Sequence, residues 1–330
     1  MRAEIKSLAT YVPPRLLTNA DLERLVDTTD EWIMQRTGIR ERHIVDPGVA
    51  TSDLAKEAAL KAIERAGMEP NDIDLIIVGT VTPDMLFPST ACLVQDKIGA
   101  KRAWGFDLSA ACSAFTYSLT VGAQMVAAGA VRNALVIGAD VMSSIIDYTD
   151  RSTCVLFGDG AGAVVVGPAE EGFGILDFEH QVDGSGGHAL CMPAGGSRQP
   201  ASHETVDQRL HYVKQEGQTV FKFAVTKTGD VCERLLKRNN LAAADIDLFV
   251  SHQANRRIIM SAAERLGVPQ EKVVINIERF GNTTAATIPL ALNDAVNDGR
   301  IKRGDLVLLT SVGAGFTVGA ILLRWGLPPR

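Results

Sequence analysis

The sequence predicts an α/β protein made of two similar halves, each a mostly parallel sheet with helices packed on its faces. Two observations predict it. Short runs of Val, Ile and Leu alternate with helix-length segments, the pattern of strands buried on both faces. Segments of the first half also recur in the second, in the same order and at nearly one spacing. Asp72-Ile-Asp-Leu-Ile-Ile-Val returns as Asp245-Ile-Asp-Leu-Phe-Val, 173 residues on. Arg132-Asn-Ala-Leu-Val-Ile-Gly returns as Arg303-Gly-Asp-Leu-Val-Leu-Leu, 171 on, and the Trp104 segment more loosely as the Val274 segment, 170 on. Each match is short, and their shared spacing carries the inference. A period this long excludes a solenoid.

The elements follow in order. An amphipathic helix opens each half, at 52–66 and 219–239. Next come a buried strand (75–79; 248–250), a short helix, a second strand (103–107; 273–277), a buried helix (112–129 in the first half) and a third strand (134–138; 305–310). Each half closes on a glycine turn that feeds a last strand, at 158–167 and 313–323. The chain thus divides into 1–170 and 171–330. Residues 170–217, polar and glycine-rich, read as a crossover and excursion outside the core, able to cover a site. The uncharged stretches 108–131 and 306–323 are long enough to be weighed as membrane spans. The first carries Tyr117 and Gln124 among Ala, Ser, Gly and Thr and reads as a helix inside a large core. Gly313, Gly315 and Gly319 split the second into two buried strands.

The 330 residues are 46% hydrophobic and 22% charged, which is globular rather than disordered composition. A net charge of −6 with only 5% aromatics argues against non-specific nucleic-acid binding and against a base-stacking platform. The five cysteines are odd in number and none are spaced C-x-x-C, which suits neither a disulfide framework nor a zinc site, so no metal is expected. The N-terminus lacks the apolar core of a signal peptide. No membrane association and a reducing cytoplasm are the expectations.

Three residues stand out chemically. Cys112 follows strand 103–107 and the turn Ser109-Ala-Ala, and opens helix 112–129. Unpaired amides and the helix dipole lower a thiol pKa at such a place. Cys92, Cys154, Cys191 and Cys232 lack that setting and read as small core hydrophobes. His252 follows strand 248–250, and strand ends of α/β sheets are where sites form. By itself a lone histidine there is a surface or capping residue. Asn282 falls 170 residues after Cys112, at its place in the repeat, although an Asn after Gly is also an ordinary helix cap. If the halves pack about a pseudo-twofold axis, equivalent helix starts face each other, and Cys112, His252 and Asn282 converge. Such a set suggests covalent acyl chemistry and leaves hydrolase and acyltransferase both open. The glycine runs at 158 and 313 lack the G-x-x-x-x-G-K-[ST] pattern of a phosphate loop. The one near 313 can still bring a backbone amide to a developing oxyanion.

Ala110-Ala-Cys112-Ser-Ala, Ser251-His252-Gln-Ala-Asn-Arg, Gly281-Asn282-Thr-Thr-Ala-Ala and Gly313-Ala-Gly-Phe together resemble the β-ketoacyl-acyl-carrier-protein synthase III family of thiolase-like condensing enzymes. Glu31-Trp32-Ile and Arg36-Thr-Gly-Ile-Arg40-Glu-Arg resemble its N-terminal signature, and the match runs from Ile5 to Trp325. The resemblance implies a duplicated, five-layered α-β-α-β-α fold in a homodimer. It implies an acyltransferase that condenses a short acyl-CoA primer, acetyl-CoA first among them, with malonyl-acyl-carrier protein, starting fatty acid synthesis. Cys112 would be the acylated nucleophile, with His252 and Asn282 serving decarboxylation and the amides of Cys112 and Ala314 forming the oxyanion hole.

Trp32, Arg36, Thr37 and Arg151 would hold coenzyme A, a substrate here, so that no cofactor is implied. Lys222, Arg256 and Arg257 would dock the acidic carrier protein. Phe87, reaching across the dimer, would floor an acyl pocket also lined by Met142, Phe157, Ala189 and Val312. Two other readings remain at this stage. One is a specialised secondary-metabolite condensing enzyme with a different starter. The other is a non-catalytic acyl-CoA or carrier-protein binding module, which has no need of Cys, His and Asn together.

Overall fold

The computed structural model describes residues 2–328. The first half runs β1 (Ala3–Tyr11), α1 (Asp30–Thr37), α2 (Thr51–Arg65), β2 (Leu75–Gly79), α3 (Thr90–Ile98), β3 (Trp104–Leu108), α4 (Ala114–Ala127), β4 (Ala134–Asp140) and β5 (Gly160–Pro168). The second runs β6 (Gly174–Val182), α5 (Gly217–Arg238), β7 (Leu248–Ser251), α6 (Arg256–Leu266), α7 (Thr287–Asn297), β8 (Leu306–Gly313) and β9 (Thr317–Arg324). One sheet has the order β1-β5-β4-β2-β3 and the other β6-β9-β8-β7.

Alternation along the strands builds the layers. On β2, Leu75 and Ile77 face a central core, while Ile76 and Val78 face α2 and α3. The central core receives Phe115 and Leu119 of α4, Ile288 and Leu292 of α7, and the inward residues Val250, Leu309 and Ile321 of the second sheet. The outer face of that sheet carries Phe249, Leu308 and Leu322 against Val231 and Leu235 of α5 and Ile259 of α6. Two helices thus lie between two sheets, each covered outside by two more, which is the five-layered arrangement. Among the described residues no helix is long and apolar enough to cross a membrane.

Three expectations need correction. The sheets are mixed rather than mostly parallel: β2–β3, β2–β4 and β7–β8 are parallel, the other pairs antiparallel. Strands β8 and β9 are joined by the short turn between Gly313 and Thr317, whereas a parallel neighbour needs a crossover of about a dozen residues or more. The segment 170–217 is not all excursion, because β6 is the edge strand of the second sheet and buries Ile175. Segment 273–277 is not a strand but a single parallel bridge between Val273 and Phe249. The Gln253 side chain substitutes for a ladder there, donating to Val274 O at 3.1 Å and accepting from Asn276 N at 3.1 Å. The chain then turns helical at Ile277–Phe280.

The duplication has one structural offset. Leu75 pairs with Ala134 in the first sheet and Leu248 with Val307 in the second, 173 residues on in both strands. Helices α4 and α7, starting at Ala114 and Thr287, keep the same 173. The counterpart of Cys112 is therefore Ala285, not Asn282. The 170 spacing slipped across the stretch where the second half lacks a counterpart of β3.

Candidate active site

Cys112 sits in a 3-10 turn, Ala111–Ser113, between β3 and α4. The residue before it, Ala111, has φ 48°, in the left-handed region where a side chain is strained, and its structural counterpart Thr284 has φ 50°. The two turns meet across the halves, with Ala110, Ala114 and Ala285 packed together. The β8–β9 turn closes on the cysteine turn: Thr317 Oγ1, at the start of β9, donates to Ala110 O at 2.9 Å. A Cβ on Gly313 would lie 2.7 Å from Cys112 N and 2.9 Å from Ala110 O, so only glycine allows this approach.

Asn282 is stitched to the first half. Its N–H donates to Leu156 O at 2.9 Å, and its carbonyl accepts from Gly158 N at 3.1 Å. Its side-chain Oδ1 accepts from Thr284 N at 2.9 Å, which leaves Nδ2 without a partner among the described residues. His252 follows β7, anchored by its N–H to Thr310 O at 2.8 Å. Its Nδ1 lies 2.6 Å from Thr287 Oγ1, and its Nε2 has no partner among the described residues.

Cys112, His252 and Asn282 line one cavity of about 180 Å³, walled by Val220, Phe221 and Ala224 of α5 and Ile258 of α6. A second, apolar cavity of about 130 Å³ shares Cys112, Phe157 and Leu190 and adds Met142, Ile145 and Val213. Cys112 therefore lines both the first cavity, a channel between the end of β7 and helices α5 and α6, and the apolar second one.

Burial pushes the Cys112 thiol up to about 12, and the Asp140 carboxylate adds to the effect. A helix N-terminus is worth ~0.3–1 kcal/mol, less than one pH unit, so it does not offset that burial. Cys112 is thus a thiol at physiological pH, not the readily formed thiolate its helix-start position suggested. Burial likewise drops His252 to about 3, so the imidazole is neutral at physiological pH.

The remaining candidates are placed as follows. Met142 and Phe157 line the second cavity, and Ala314 borders it beside Cys112. Val312 lines the channel instead, and Ala189 is buried but lines neither cavity. Phe87 is 85% exposed beside the equally exposed Leu86. The Arg151 guanidinium lies 4.9 Å over the Trp32 ring, with Arg36 at 6.0 Å. Thr37 does not open onto that surface: its side chain is buried and its hydroxyl donates to Ile33 O at 2.7 Å, finishing α1. Cys154 and Cys232 are buried, but Cys92 is exposed and Cys191 lines the second cavity, so those two are not core residues.

Lys222, Arg256 and Arg257 are exposed at the N-terminal ends of α5 and α6. Asn255 ties this rim to α1, donating to Arg36 O at 2.8 Å. Among the described residues, none of these cations, nor Arg36 or Arg151, forms an ion pair, whereas Arg234, Arg238 and Arg265 farther along the same helices all do. Sequence reasoning missed Asp140, Thr284 and Thr287. A signal for the first was present: Asp140 ends the otherwise apolar run Ala134–Ala139, and a charge closing a fully buried strand needs a reason.

Two family models match, 3-oxoacyl-[acyl-carrier-protein] synthase III over residues 106–184 and its C-terminal region over residues 236–325. The chain is 60% identical over 326 residues to the β-ketoacyl-[acyl-carrier-protein] synthase III of Koribacter versatilis, covering 98% of each. It is 62% identical over 327 residues to that of Solibacter usitatus, covering 98% of this chain and 99% of the relative. The crystal structure of the Aquifex aeolicus 3-oxoacyl-[acyl-carrier-protein] synthase III superposes with a TM-score of 0.91 at 44% identity, covering 98% of this chain and 100% of that one. The priming β-ketosynthase of the R1128 polyketide pathway is more distant in sequence, at 35% identity and TM-score 0.91, covering 99% and 97%. Fold, paired helix starts and full-length identity agree, and the chain belongs to the β-ketoacyl-acyl-carrier-protein synthase III family of acyltransferases.

Proposed function

We propose that this protein joins a short acyl group from acyl-CoA to malonyl-acyl-carrier protein, with loss of carbon dioxide, and so starts fatty acid synthesis. The observation that carries the reading is that Cys112 lines one cavity together with His252 and Asn282 and also lines an adjoining apolar cavity. In the first half-reaction the Cys112 sulfur attacks the acyl-CoA thioester. The acyl group moves to sulfur, and coenzyme A leaves as its thiol with the proton Cys112 gave up. The backbone amides of Cys112 and Ala314 receive the developing oxyanion.

In the second half-reaction the carboxylate of malonyl-acyl-carrier protein leaves as carbon dioxide. Its electron pair delocalises onto the thioester oxygen, where Nε2–H of His252 and the Nδ2 amide of Asn282 stabilise it. The α-carbon then attacks the acyl-Cys112 carbonyl, and collapse frees the 3-oxoacyl product and expels the Cys112 sulfur as a thiolate, which takes a proton from solvent to restore the thiol. A neutral His252 suits this role, since donating a hydrogen bond needs no charge.

The second cavity, about 130 Å³ and lined mostly by apolar side chains such as Met142, Ile145 and Val213, suits a short acyl primer. Opening the Arg151–Trp32 stack for an adenine costs only ~0.5–1 kcal/mol, the worth of an exposed cation–π pair. The unpaired Lys222, Arg256 and Arg257 suit an acidic carrier protein at the channel mouth. A homodimer is supported by the open edge of β3, its half-exposed Trp104, and the exposed Leu86 and Phe87. Intact-protein mass after incubation with acetyl-CoA tests the chemistry: one acetyl group is expected on the wild type and none on Cys112→Ser. An adduct on Cys92 or Cys154 overturns the assignment. Sedimentation as a monomer at micromolar concentration overturns the dimer.

A further inference from the structure

Asp140, at the end of β4, is fully buried and has no cationic partner among the described residues. Its two oxygens do separate work. Oδ1 accepts from Thr80 Oγ1 and Thr82 Oγ1 at 2.9 Å each, from Val81 N at 2.8 Å and from Thr82 N at 3.2 Å, ordering the loop after β2. Oδ2 reaches into the other half, accepting from Thr284 Oγ1 and from Ala285 N at 3.2 Å. With six donors aimed at it, the carboxylate has no lone pair left to take a proton from Cys112. Its charge opposes ionisation of that thiol, so its contribution to the site is not thiol activation.

Thr284 is the link. Its φ of 50° is one a β-branched residue rarely adopts, and the bond to Asp140 holds it there. In that conformation its N–H points at Asn282 Oδ1, 2.9 Å away. An N–H can meet only the oxygen end of an amide, so the side chain of Asn282 must present Nδ2 in the opposite direction. The backbone of Asn282 is already fixed at both N and O by Leu156 and Gly158. The orientation of its amide is the one freedom left, and Thr284 removes it.

We propose that Asp140 and Thr284 are positioning residues for Asn282: across the interface between the halves, they select which end of its amide faces the thioester. The inference rests on the decarboxylation role given to Asn282 above. Without the clamp, the amide rotates and offers oxygen to a developing oxyanion, which repels it.

The experiment follows carbon dioxide release from malonyl-acyl-carrier protein and single-turnover acylation by acetyl-CoA separately. Thr284→Val keeps the shape and removes the hydroxyl, while Thr284→Ser keeps the hydroxyl. Thr284→Val should lose tenfold or more in decarboxylation with acylation within about threefold of wild type, and Thr284→Ser should restore decarboxylation. Asp140→Asn should resemble Thr284→Val, because its amide presents a donor to Ala285 N–H or to Thr284. Thr284→Val added to Asn282→Ala should cost nothing further, since there is no amide left to orient. If Asn282→Ala decarboxylates normally, the role of Asn282 itself is wrong. If Asn282→Ala is slow while Thr284→Val is fast, or if the two losses multiply, the positioning proposal is overturned. Thermal unfolding of each variant separates loss of fold from loss of orientation.

Discussion

The Thr287 hydroxyl oxygen lies 2.6 Å from Nδ1 of His252, and the same hydroxyl lies 3.0 Å from Thr284 O. It has one proton to give. Donated to Nδ1, it leaves the imidazole proton on Nε2, the nitrogen free of protein partners. Donated to Thr284 O, it makes Nδ1 the protonated nitrogen and Nε2 an acceptor. Only the first arrangement stabilises an oxyanion in the cavity. Thr287→Val should therefore slow decarboxylation by tenfold or more and spare acylation, with Thr287→Ser close to wild type. Nitrogen chemical shifts of His252 report the tautomer directly. A wild-type resting tautomer protonated on Nδ1 would contradict this assignment.

Alkylation of Cys112 should rise steeply with pH. Burial holds the thiol near 12, so the thiolate fraction grows about tenfold per pH unit below that value. Reaction with iodoacetamide, followed by mass at Cys112, should climb from pH 7 to 10 without levelling. A plateau below pH 8 means that the helix dipole prevails over burial.

Decarboxylation should carry no histidine titration near neutrality. His252 is held down to about 3, so as pH falls through 6.5 it stays neutral and keeps its donor. The carbon dioxide step on acylated enzyme should be flat from pH 8 to 5. A fall with a midpoint near 6.5 shows that the imidazole charges in the complex.

Gly313→Ala should block acylation while the protein still folds. The added Cβ meets Cys112 N at 2.7 Å, and overpacking of this kind costs ~1–3 kcal/mol. Displacing one oxyanion donor costs ~10²–10³ in rate. Single-turnover acylation with acetyl-CoA measures it, and a rate within threefold of wild type contradicts the close approach.

Arg257→Glu should raise the KM for malonyl-acyl-carrier protein several-fold, with a weaker salt dependence, and leave acetyl-CoA acylation nearly unchanged. Arg257 is exposed, has no ion pair among the described residues and packs over Phe221 at 5.3 Å. Equal losses in both half-reactions implicate the site or the fold instead.

What the sequence determined by itself was whatever short range and periodicity encode. The short Val/Ile/Leu runs of β2, β4 and β8, bounded by turn residues, read as buried strands, and the shared spacing revealed two halves from one plan. Cys112, His252 and Asn282 were legible because each stands at an element boundary in a distinctive local string. What only the tertiary structure decided depends on the other half of the chain. Segment 273–277 reads as a strand, yet the Gln253 side chain satisfies its backbone in place of a ladder. Asn282 aligns with Cys112 by eye, yet Ala285 is the true counterpart because register is fixed by strand pairing. Asp140 and Thr284 are 144 residues apart, and no local pattern announces that they bond. A helix start favours a thiolate, but the desolvation that opposes it exists only once both halves enclose the sulfur.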